Sequence, residues 1–87
     1  MKELQERRFK EQIEEILGKD CTIQSNIDQE GTLHSAKVNT TQTLDIPKLN
    51  AIYGTADAWC CEFEIAPEAP GLRIKFEINT AAVAALN

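Results

Sequence analysis

The sequence predicts an α+β domain in two layers: a four-stranded antiparallel sheet from two hairpins, with an N-terminal helix packed on one face and a short helix between the hairpins. Three observations predict it. Phe9, Ile13, Ile16 and Leu17 recur at i, i+4, i+7 and i+8, which is one face of a helix. Trp59, Cys61, Phe63 and Ile65 alternate with Cys60, Glu62 and Glu64, the mark of a strand with one face buried. Leu72, Ile74, Phe76 and Ile78 alternate with Arg73, Lys75 and Glu77 in the same way. Because these stripes are one-sided, the economical solution covers one sheet face with helices and leaves the other to water.

The first element is a helix over residues 2–17. Glu3 precedes Arg7 by four and Glu6 precedes Lys10 by four, the favourable order for helix ion pairs. Gly18 supplies the left-handed position that stops the helix, and Leu4 falls at the rim of the apolar stripe. Residues 21–27 and 32–39 form the first hairpin around Asp28-Gln29-Glu30-Gly31, with Asp first and Gly fourth as in a type I turn. Pairing Ile27 with Thr32 sets Ser25 opposite His34, Ile23 opposite Ala36 and Cys21 opposite Val38. The other face of this hairpin is polar except at Leu33.

Asp45 is an N-cap, with Pro47 tolerated in the first turn. The short helix over residues 46–53 then places Ile46, Leu49, Ile52 and Tyr53 at helical spacing and ends at Gly54. The second hairpin folds back through residues 66–71. That register sets Glu64 opposite Arg73, Glu62 opposite Lys75, Phe63 against Ile74 and Cys61 against Phe76. Residues 80–86 suit a short terminal helix docking through Val83 and Leu86.

Eighty-seven residues make one domain, 1–87. The longest apolar stretch, residues 81–86, is far short of the ~20 residues of a membrane span, and no apolar signal core follows the charged N-terminus. With three cysteines and no disulfide framework, a cytoplasmic location is expected. A net charge of −5 argues against direct nucleic-acid binding and anionic membranes, while it permits a basic protein partner.

No cofactor or metal is implied. Adjacent Cys60 and Cys61 diverge on a strand, with Cys61 inward and Cys60 on the wet face, whereas a zinc site needs four convergent ligands. A Ser25–His34 pair without an orienting carboxylate is no triad. The sequence therefore points to a non-enzymatic protein–protein interaction module, such as an inhibitor, adaptor or assembly subunit. Its candidate contact residues are Glu3, Glu6, Glu11, Glu14 and Glu15 on the helix, and Glu62, Glu64, Arg73 and Lys75 on the open sheet face. The alternative is a small-ligand binder or minor enzyme using a groove near His34, Tyr53 and Trp59, all three on or beside the core. Homodimerisation through a sheet edge is a third option, because only Lys37 blunts the second strand.

Overall fold

The computed structural model describes residues 2–80. The elements run α1 (Lys2–Leu17), β1 (Thr22–Ile27), β2 (Leu33–Thr40), α2 (Ile46–Ala58), β3 (Cys61–Glu68) and β4 (Gly71–Ile78). The sheet order is β1-β2-β4-β3, with every neighbouring pair antiparallel. β2, α2 and β3 make a split β-α-β unit: the two strands run the same way with β4 between them. Strand β2 is therefore interior, and the edges are β1 and β3, which corrects the expectation that Lys37 guards an edge.

One core joins all six elements. Phe9, Ile13 and Leu17 enter it from α1, Ile52 and Ala56 from α2, and Val38, Ile74 and Phe76 from the middle of the sheet. The Phe9 ring stands edge-on to Trp59 at 5.5 Å and to Phe76 at 5.4 Å, the arrangement the ring quadrupoles favour. The helix stripe that begins at Phe9 thus lies on the apolar side of the second hairpin, as its pattern predicts. Gly18 has φ +82 and ends α1 in the left-handed region. Asp45 caps α2, its Oδ1 accepting from the Lys48 amide at 2.9 Å. Such a cap contributes about 1 kcal/mol.

Four local expectations change. First, α2 continues through Gly54 to Ala58, since one interior glycine costs only about 1 kcal/mol. Trp59 is its C-cap rather than a strand residue, and Cys60, at φ +57, turns the chain into β3 instead of lying on the strand's wet face. The longer helix presents Ile52 and Ala56 inward, so Ile46, Leu49 and Tyr53 are 72%, 37% and 65% exposed. Tyr53 is not in the core; its ring meets Phe63 at 6.4 Å.

Second, residues 66–71 are not a six-residue loop. The strands run to Glu68 and restart at Gly71, leaving Ala69-Pro70 as the turn, with a cis bond between them. The register is displaced by two residues: Glu64 faces Lys75, Glu62 faces Glu77, Phe63 faces Phe76 and Cys61 faces Ile78. Glu64 and Arg73 still share a face, because a displacement of two preserves side-chain parity.

Third, the first hairpin is displaced likewise, with Ser25 opposite Ala36 and Ile23 opposite Val38. Fourth, Asn26 pairs with Ser35 but Ile27 pairs with Leu33, so His34 is an extra residue in a β-bulge. The bulge turns Leu33 inward, where it is 1% exposed, and throws His34 out to solvent. Both are the reverse of strict alternation. The proposed helix over residues 80–86, with Val83 and Leu86, lies outside the described residues from 81 onward.

Candidate functional site

Pleating sends alternate side chains of all four strands to the face opposite the helices. Across the sheet from β1 to β3, one row on that face is Thr22, Asn39, Arg73 and Ala66. The next is Gln24, Lys37, Lys75 and Glu64, and the third is Asn26, Ser35, Glu77 and Glu62. No apolar side chain larger than Ala66 stands in these rows.

Charge on this face is sorted. Lys37 and Lys75 are directly opposite on the two central strands, with Arg73 two positions before Lys75. Glu62 and Glu77 are directly opposite toward β3, with Glu64 beside them. Like charges directly opposite destabilise a strand pair. Two such pairs adjoin here; exchanging Lys75 and Glu77 would make both opposite in sign while setting Glu64 against a glutamate, so the like-charge pairs would fall from two to one. An open depression of about 400 Å³ lies over the basic part, lined by Gln24, Asn26, Ser35, Lys37, Arg73 and Lys75.

One carboxylate reaches into this region. Glu68, at the end of β3, accepts a hydrogen bond from the Asn39 side-chain amide. Its Oε2 is 3.7 Å from Lys37 Nζ and its Oε1 is 3.6 Å from Arg73 Nη1. The Asn39 bond, then the Lys37 and Arg73 charges, outweigh desolvation and hold the Glu68 carboxyl below the usual carboxylate range. Among the described residues, Lys75 has no ion-pair partner.

Of the sequence-predicted contact residues, the structure brings Glu62, Glu64, Arg73 and Lys75 together on the open face. Glu3, Glu6, Glu11, Glu14 and Glu15 ride on α1, which covers the other side of the sheet. Among the described residues, the Glu3–Arg7 and Glu6–Lys10 spacings do not close into ion pairs. Asn39 and Glu68 were not singled out by sequence, because Glu68 was read as loop and only the true register carries it to Arg73.

The alternative groove is not assembled. Trp59 lines a depression of about 390 Å³ beside α1 and donates from Nε1 to Gln12 Oε1 at 2.6 Å. Tyr53 lines a different one with Phe63, and His34 lines neither. Ser25 is not the partner of His34. The His34 Nε2 lies 2.7 Å from Asp28 Oδ2, a pairing in which the ring donates because an ionised carboxylate only accepts. Asp28 Oδ1 also accepts from the amides of Glu30 at 2.9 Å and Thr32 at 3.0 Å, closing the turn. The pair is an exposed brace for the hairpin.

The His34 bond, followed by the Thr32 amide, holds the Asp28 carboxyl below its ordinary value. A carboxyl depressed in the fold contributes its full stability above the unfolded value of about 4 and loses it as pH falls through the native value. The urea midpoint is therefore expected to drop as pH falls below the unfolded carboxyl value of about 4. The Asp28→Asn, Glu68→Gln double variant should show a flatter acid limb. An acid limb as steep as that of the parent would remove both carboxyls from the explanation.

Among the described residues, no three His, Cys, Asp or Glu side chains converge as metal ligands, and no helix is long and apolar enough to cross a membrane. Cys21, Cys60 and Cys61 are free thiols. Burial first, then the neighbouring Cys60, pushes the Cys61 thiol up to about 11. No protein-family model, curated protein or solved structure matches this chain.

Proposed function

We propose that the protein is a non-enzymatic binding module that engages another protein through the open polar face of its sheet. The observation that supports this most is the charge sorting on that face. Like charges face each other at Lys37–Lys75 and Glu62–Glu77, a cost that Glu68 beside Lys37 and Glu64 opposite Lys75 offset only in part. A complementary partner surface recovers that cost and gains orientation from it. Inhibitor, adaptor and assembly subunit are all roles that such a surface serves, in whatever compartment the protein works. The exposed Asp28–His34 pair, with Ser25 held away opposite Ala36, fits a structural brace better than a catalytic group.

The experiment compares surfaces. Immobilised parent protein is expected to retain a partner from its own cell extract. The Lys37→Glu, Lys75→Glu double variant should lose it, and the Glu11→Lys, Glu15→Lys variant of α1 should keep it. Loss with the helix variant alone moves the contact to α1. A parent protein that retains nothing while remaining a folded monomer overturns the reading.

A further inference from the structure

We infer that Lys37, Arg73 and Lys75 form a seat for an oxyanion carried by a segment of the partner protein, and that Glu68 is the internal carboxylate which that oxyanion displaces. This inference rests on the open-face reading and specifies its chemistry. Three cations occupy neighbouring register positions on a chain of net charge −5. Glu68 shows that the geometry can hold an oxyanion, since an amide, an ammonium and a guanidinium converge on its carboxylate.

Glu68 fills only one end of the seat. Lys75 is unpaired among the described residues, although Glu64 stands opposite it on β3. The depression continues past Lys37 to Gln24, Asn26 and Ser35, whose amides and hydroxyl can bond the backbone of a bound segment. Displacing Glu68 is cheap, because its side chain is 35% exposed and exposed ion pairs are weak. Its position next to the two-residue turn lets the side chain swing away while the β3–β4 ladder stays paired. Nucleic acid is disfavoured as the source of the oxyanion, because the rows of this face hold no aromatic side chain for base stacking.

A carboxylate and a phosphoryl group share this chemistry, and a titration separates them. The ¹⁵N-labelled protein would be titrated with a hexaglutamate peptide, with a glycine hexapeptide bearing one phosphoserine, and with inorganic phosphate. The Asn39 side-chain amide and the backbone amides of Lys37, Arg73 and Lys75 should shift with at least one peptide. Glu68→Gln, near-isosteric and able to keep the Asn39 bond, should tighten that peptide roughly three- to tenfold by removing its competitor. Lys75→Ala should weaken it while leaving spectral dispersion intact. The tighter peptide identifies the oxyanion as carboxylate or phosphoryl.

Three results overturn the inference: no shift at these residues with either peptide, an affinity unchanged by Glu68→Gln, or inorganic phosphate binding as tightly as the better peptide. If the peptides fail while partner capture still depends on Lys37 and Lys75, the oxyanion seat falls and the open-face reading stands.

Discussion

Replacing Phe9 with Ala is expected to lower the unfolding free energy by about 3–5 kcal/mol. Phe9 is 0% exposed and is the side chain through which α1 grips both the C-cap of α2 and the centre of the sheet. Its removal deletes two edge-to-face contacts and leaves a cavity that Trp59, tied to Gln12, and Phe76, fixed in a central strand, cannot both fill. A small domain has only about 5–15 kcal/mol to lose, so the variant forfeits roughly a third or more of a typical total, and at the low end of that range a large share of the molecules would be unfolded. Urea unfolding followed by Trp59 fluorescence measures it. Leu4→Ala, at a position 46% exposed on the same helix, is the control and should change little. A loss under about 1 kcal/mol for Phe9→Ala would remove Phe9 from the centre of the core.

Gly71→Ala should cost about 3 kcal/mol, the upper end for inserting a methyl into packed structure. A Cβ at this position would lie 2.0 Å from the Thr40 carbonyl oxygen and 2.8 Å from Thr41 Cα. Both obstacles are backbone, so no rotamer change relieves them. The chain must separate where β4 begins beside β2, at the pairing of Leu72 with Thr40. Hydrogen exchange should therefore quicken first at those two residues. Gly54→Ala meets nothing within 4 Å inside α2 and should stabilise by about 1 kcal/mol. Equal behaviour of the two variants would contradict the close approach at Gly71.

Side-chain periodicity reports faces, and faces were legible. Phe9, Ile13 and Leu17 on α1, and the parity of Phe63, Ile74 and Phe76, follow directly from spacing. Gly18 and Asp45 were legible because each terminus uses a residue type with a specific stereochemical role. Register was not legible. A displacement of two keeps every side chain on its face, so Glu64 opposite Lys75 and Glu64 opposite Arg73 present the same hydrophobic pattern. The bulge at His34 escaped for the opposite reason, since it changes parity at the second residue of β2, and the strand itself carries no glycine or proline to announce it. Tyr53 was misplaced because a helix stopped at Gly54 needs it in the core, whereas a helix running to Ala58 has Ala56 to bury instead. The basic seat suffered from the register error: Arg73 and Lys75 were visible as outward residues, but their conjunction with Lys37, Asn39 and Glu68 depends on which residues face each other.

The placement of β4 between β2 and β3 has a consequence for biosynthesis. Of the four strands described, the last in chain order is the one that stitches the two halves of the sheet together. Until it emerges, β2 and β3 expose open hydrogen-bonding edges toward each other with nothing to bridge them. Phe9 likewise lacks Phe76 as its floor. Until residues 71–78 are available the sheet has no finished core, so a pause before residue 71 is when this domain most needs protection from its own kind.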